Sequence, residues 1–153
     1  MRYFYCLIIA LTIAVSGQSF ALDAAERHVS QEKVKNYPAC PSQDFSEFLK
    51  VFSENIVIQR AFTKYPLKKW QLDLDSDPEP KPVLRNLRSS QISFPVIPGE
   101  SERNLKSLTF RIEKIESKKA KLLLMKADTD YQISYFFSKN SCWNLDRIED
   151  WSL

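Results

Sequence analysis

Two periods divide this chain. Phe45, Phe48, Leu49, Phe52 and Ile56 recur three or four residues apart, the spacing of a helix with one apolar face. Glu47, Lys50 and Glu54 fall on the opposite, solvated face. Pro38-Ala39-Cys40-Pro41-Ser42 reads as the entry to that helix. Pro41 biases Cys40 to an extended conformation, and Ser42 is the expected N-cap. Asp44 and Glu47 suit the positive end of the helix dipole. Asn55 either ends the helix or caps a short second one through Ile56 to Phe62.

After Phe62 the period falls to two. Thr63-Lys64-Tyr65-Pro66-Leu67 reads as extended, because Pro66 stops a helix. From Lys69 to Asp75, Trp70, Leu72 and Leu74 face one way and Lys69, Gln71, Asp73 and Asp75 the other, as in an amphipathic strand. Pro78-Glu79-Pro80-Lys81-Pro82 predicts a stiff loop. Val83 to Arg88 reads as a helical turn with Leu84 and Leu87 inward. Gln91 to Ile97 reads as a strand with Ile92, Phe94 and Val96 on one face, either at an edge or carrying a bulge because of Pro95. Pro98 to Arg103 reads as a loop.

The end of the chain predicts consecutive strands. Leu108, Phe110 and Ile112 alternate with polar residues, and Glu116-Ser117-Lys118-Lys119 turns the chain. Ala120 to Ala127 is apolar on both faces, as a central covered strand requires. Asp128-Thr129-Asp130 is a tight turn. Tyr131, Ile133, Tyr135 and Phe137 share a face. Trp143 and Leu145 share a face, but Ile148 breaks the parity, which predicts a bulge near Asp146-Arg147.

The first residues change the setting. Arg2, the apolar run Phe4 to Val15, and Ser19-Phe20-Ala21 have the order of a secretory signal cleaved after Ala21. The run is shorter than the roughly 20 residues of a membrane-spanning helix. The expected division is therefore residues 1–21 signal peptide, 22–41 N-terminal arm and 42–153 folded domain. The expected location is the periplasm or the medium, without stable membrane insertion after cleavage. Cys6 leaves with the signal, and Cys40 and Cys142 remain. An even pair in an exported chain reads as a disulfide.

Composition mostly excludes. The formal charge of +3 loses one unit with Arg2, leaving +2, and the basic residues are dispersed, so nucleic acid is not an expected partner. Gly99 is the only glycine beyond Gly17, too few for a glycine-rich phosphate loop. The single histidine, His28, has no neighbours for metal or acid–base work. Asp73-Leu74-Asp75-Ser76-Asp77 opens like a calcium loop, but Pro78 and Leu84 stand where such a loop needs glycine and glutamate. No metal and no cofactor is expected.

The order of elements resembles the NTF2-like cone fold. That fold is α+β, an N-terminal helix packed on a curved antiparallel sheet. In detail the chain resembles the bacterial DUF4348 type within that superfamily. The residues that carry the resemblance are Phe45-Ser46-Glu47-Phe48, Phe52-Ser53, Ile58-Gln59 and Tyr65-Pro66-Leu67. They continue with Asp130-Tyr131, Tyr135-Phe136-Phe137, Trp143-Asn144-Leu145 and Ile148-Glu149-Asp150-Trp151-Ser152. The family pattern prefers a basic residue where this chain has Phe62; the nearest is Arg60. The family has no assigned activity, so the resemblance implies a fold and leaves function open.

Cones of this type hold either an enzyme pocket or a binding site. An isomerase or dehydratase would set a buried carboxylate base against a tyrosine donor. Tyr131 and Tyr135 are the donors available. Asp128 and Asp130 read as turn residues, and Asp146 and Asp150 lie where strand parity is ambiguous. The reading the residues favour is a non-catalytic exported binding protein with a protein partner in the periplasm. Its concrete form is an immunity or inhibitor protein against a toxin or hydrolase acting there. A cone-pocket isomerase and a purely structural envelope protein are the alternatives. Tyr131, Tyr135, Gln59, Arg60 and Trp143 are the pocket or surface candidates, and no catalytic residue is assigned.

Overall fold

The computed structural model describes residues 37–152. The predicted signal, most of the predicted arm and His28 lie outside them. The first helix, α1 (Phe45–Glu54), forms where the apolar spacing places it, with Phe45, Phe48, Leu49 and Phe52 buried. Its N-cap is Asp44, not Ser42: the Asp44 carboxylate accepts from the Glu47 N–H at 3.0 Å. Ser42 Oγ instead accepts from the Asp44 N–H at 3.0 Å, one step before the helix. Asn55 both ends α1 and caps α2 (Ile56–Ala61). That break turns Ile56 away from the face of α1 and leaves it 44% exposed.

Six strands follow: β1 (Thr63–Asp73), β2 (Lys81–Leu87), β3 (Leu108–Ile115), β4 (Lys119–Lys126), β5 (Gln132–Lys139) and β6 (Trp143–Asp150). They form one sheet in the order β2-β1-β6-β5-β4-β3. Every pairing is antiparallel except β1 with β6, which is parallel. The sheet is therefore mixed, where an antiparallel one was expected. The long excursion from β1 through β2 to β5 lets the chain return to β1 in the same direction. The apolar strand β4 lies between β3 and β5; the two middle strands are β5 and β6.

The core lies between α1 and one face of the sheet. Phe45 meets Phe137 and Trp143 edge-on, with ring centroids 5.2 and 5.0 Å apart. Phe52 meets Phe137 at 5.5 Å. Burial of each such side chain is worth roughly 1.5–3 kcal/mol, which fixes the helix on the sheet. A disulfide between Cys40 and Cys142, with Cα atoms 5.7 Å apart, ties the entry of α1 to the start of β6. The predicted bulge is present: the β5–β6 register shifts between Phe136 and Phe137, skipping Asp146.

Three segments differ from expectation. Residues 83–88 form no helical turn; 83–87 belong to strand β2, with Leu84 opposite Trp70 and Leu87 opposite Leu67. Leu84 and Leu87 are spaced like a helical pair, but cross-strand pairing on β1 decides the conformation. Leu84 is 42% exposed rather than inward. Residues 91–97 form no strand. A single 3-10 turn (Ser89–Gln91) leads into an irregular run, whose backbone groups bond to side chains instead of a neighbouring strand. The Val96 and Ile97 N–H groups donate to Gln59 Oε1 at 2.7 and 3.3 Å. Gln59 Nε2 donates to Ile97 O at 2.8 Å, and the Tyr135 hydroxyl donates to Val96 O at 3.0 Å.

The expected loop from Pro98 contains helix α3 (Glu100–Lys106). Its start is stabilised from outside. Glu54, the last residue of α1, accepts from the Glu100 N–H at 2.6 Å, where the helix carries partial positive charge. Gly99 permits that approach, since a Cβ there would sit 2.9 Å from Glu54 Oε2. The helix ends on Ser107 in the left-handed conformation (φ 56°).

Candidate functional site

The core face of the sheet is filled by α1 only in part. Beyond the phenylalanines it bounds a cavity of about 390 Å³, with β1, β2, β5 and β6 behind it and the 92–96 run in front. Register decides which side chains face inward. Lys69 pairs beside Ile148 and Gln71 beside Asp150. Tyr135 pairs with Ile148 and Ile133 with Asp150. Because Tyr135 and Ile148 are core residues, Lys69, Gln71 and Asp150 share their face. On β1 the polar set therefore lines the cavity, while Trp70 and Leu72 lie on the outer face.

Two of the three charged side chains lining the cavity are matched to each other. Lys69 Nζ lies 3.2 Å from Asp150 Oδ2, both side chains being about one quarter exposed. Arg85 stands on β2 beside Lys69. Tyr135 is 2% exposed, and burial raises its hydroxyl far above the ordinary tyrosine range, helped by Tyr131 and Asp150. Its proton is directed at Val96 O. Tyr131 is half-buried against the core; burial first and Asp150 second raise its hydroxyl as well. Both tyrosines are neutral donors at physiological pH. Neither hydrogen-bonds to Asp150, whose carboxylate takes Lys69 on one oxygen and the Ser152 N–H on the other.

The candidate residues separate into different roles. Tyr135 lines the cavity, and Tyr131 stands beside it towards α3. Gln59 is fully buried, and its amide is engaged on both sides by Ser53, Val96 and Ile97. It is a clip holding the front wall, with no atom left for a ligand. Arg60 is exposed, its guanidinium 4.8 Å over the Phe94 ring. Trp143 is 2% exposed and donates through Nε1 to Gln43 O at 3.0 Å, so it belongs to the packing under α1. Phe62 packs edge-on against Phe48 at 5.9 Å, which explains an apolar residue at that position.

Lys69 and Arg85 do not stand out in the sequence, and Asp150, weighed there as a base, is set aside because strand parity is ambiguous at its position. For Asp150 the signal was present: one extra residue at Asp146-Arg147 returns both Ile148 and Asp150 to the face of Trp143 and Leu145. For Lys69 and Arg85 there was none, since only pairing tells which side of β1 and β2 faces inward. Among the described residues no three His, Cys, Asp or Glu side chains cluster as a metal site. No helix among them is long and apolar enough to cross a membrane.

The same architecture occurs in a crystal structure of an NTF2-like protein from Bacteroides fragilis. The similarity has a TM-score of 0.54 at 21% identity, covering 72% of this chain and 47% of that chain. This chain thus spans about half the length of that structure. Identity at this level speaks for the fold. The protein has the NTF2-like α+β fold, helices on a curved, unclosed mixed sheet. No family model matches the sequence, and no curated protein matches it.

Proposed function

We propose that this is an exported protein that works by binding and turns over no substrate. The observation that carries the reading is the state of the cavity groups. Cone-pocket isomerisation needs an available carboxylate base facing an available donor. Here Asp150 is ion-paired with Lys69 at 3.2 Å, and the Tyr135 hydroxyl is held by Val96 O at 3.0 Å. The disulfide supports an oxidising, periplasmic or extracellular setting. The DUF4348-type assignment rests on the residues quoted for it and adds no activity.

In its specific form the protein is an immunity or inhibitor protein for a toxin or hydrolase acting in the periplasm. Co-expression with the periplasm-targeted product of the adjacent gene tests this. The expected result is a complex that survives purification and protection of the cells. Absence of both withdraws the immunity form. An enzyme reading draws on one observation, that Asp150 shares the concave face with Tyr135. Turnover of a ketone or alcohol substrate that Asp150→Asn abolishes, with folding intact, would replace binding by catalysis.

A further inference from the structure

The outer face of the sheet carries a groove of about 730 Å³ that the cone cavity does not use. One wall is the start of β1, with Lys64, Tyr65 and Lys68. The other is the β3–β4 hairpin, with Lys114, Lys119 and Lys121. Phe136 and Arg147 form the floor. Six lining side chains are cationic and two, Glu116 and Asp146, are carboxylates.

Part of that charge is already answered. Lys64 pairs with Asp146 at 2.7 Å, Lys114 with Glu116 at 2.7 Å and Lys121 with Glu113 at 2.7 Å. Arg147 Nε lies 3.1 Å from Glu149 Oε1, outside hydrogen-bond geometry. Its guanidinium is stacked 3.9 Å over the Phe136 ring, an arrangement that leaves the in-plane N–H edge for a carboxylate. Among the described residues, Lys68 and Lys119 make no ion pair, and both are exposed. The groove therefore keeps an uncompensated positive charge over an aromatic floor.

Its shape favours an extended chain. From β1 to β4 the sheet steps across three strand spacings, about 14 Å at ~4.8 Å each. A lone phosphate cannot meet both walls, whereas about five residues of extended peptide can. The first wall also offers backbone. The β1–β6 register skips from Thr63 to Lys68, and pairing with β2 begins only at Leu67. Residues 64–66 thus bow out of both ladders.

We propose that this groove binds an extended acidic segment of a partner protein. Carboxylates meet Lys68, Lys119 and Arg147, and an apolar side chain lies on Phe136. The proposal rests on the reading of the protein as a binder and names the chemistry of its partner.

The probe is a labelled peptide of glutamates interspersed with leucines, titrated by fluorescence anisotropy into the disulfide-bonded protein. Lys68→Glu/Lys119→Glu should weaken binding about tenfold or more. Lys81→Glu/Lys126→Glu carries the same charge change outside the groove and should weaken it less than about twofold. Independently of any variant, binding by the parent protein should fall steeply from low to high salt. No binding by the parent, equal losses in both double variants, or equal affinity for the glutamine counterpart overturns the proposal. Binding of polyphosphate or phosphatidylglycerol vesicles that the groove pair alone abolishes, without peptide binding, assigns the groove to phosphate or lipid and also overturns it. Should the groove pair still capture the adjacent gene's product, the groove assignment falls while the binder reading stands.

Discussion

On β5, Tyr135 and Phe137 are 2% exposed against α1 and the cavity wall, while Phe136 between them lies half-buried on the outer face beneath Arg147. The contrast repeats across the sheet. On the concave face polar groups have fixed internal partners: Gln59 with the 96–97 backbone, Tyr135 with Val96, Asp150 with Lys69. On the outer face the ion pairs are at or near the surface, as with Lys64–Asp146 and Lys114–Glu116. Exposed pairs contribute about 0–1 kcal/mol, so a charged partner can exchange them at little cost to the fold. The concave face holds the structure together, and the outer face remains chemically negotiable.

The largest expected difference compares two phenylalanines. Phe52→Ala, at a fully buried site, should destabilise by about 3–5 kcal/mol. Phe136→Ala, losing its contacts with Arg147 and Lys121, should cost about 1 kcal/mol. Urea unfolding of both variants measures this, and equal losses would break the contrast between the faces.

Next is the bridge that anchors α1 to the concave side. Reduction of Cys40–Cys142, which spans 102 residues, should lower stability by about 2–4 kcal/mol. Alkylation without reductant should label neither cysteine. An unchanged melting temperature on reduction would show that the core alone holds the helix entry.

Gln59→Leu should cost about 1–3 kcal/mol by leaving the Val96 and Ile97 amides without their acceptor. The damage should be local, visible as faster hydrogen exchange at those two amides than at β5. Uniform acceleration would mean that the front wall and the core unfold as one.

The smallest effect belongs to the outer face and depends on pH. Lys121 and then Arg111 hold the Glu113 carboxyl below its usual range. With the folded pKa depressed, the unfolded state binds the proton more readily. The stabilisation is therefore complete above the unfolded value of about 4.3 and is lost as pH falls through the folded value. Glu113→Gln should change neutral stability by under about 0.5 kcal/mol and flatten the acid limb slightly. A loss of several kcal/mol would show that this face is structural too.

By itself, the sequence determined the apolar face of α1, Asn55 as the point where that helix ends or a second begins, the strands from Leu108 onward, the bulge after Leu145 and the cysteine pair. These are local matters: periodicity, capping and parity are set by residues a few positions apart, and the cysteine pair by its even count in a chain expected to be exported. Tertiary structure alone decided that residues 81–87 pair as a strand, and that 92–97 are held by Gln59 and Tyr135. It also set β1 parallel to β6, with Lys69 inward and Trp70 outward. For the 92–97 run the deciding hydrogen bonds come from residues distant in the chain, such as Val96 to Gln59 across 37 positions, and for the strands they come from the ladders with β1. Alternation along a strand reports that two faces differ, but which face is covered depends on the strands beside it. The cavity charges and the basic groove come from that choice, because they draw on strands brought together only by the sheet.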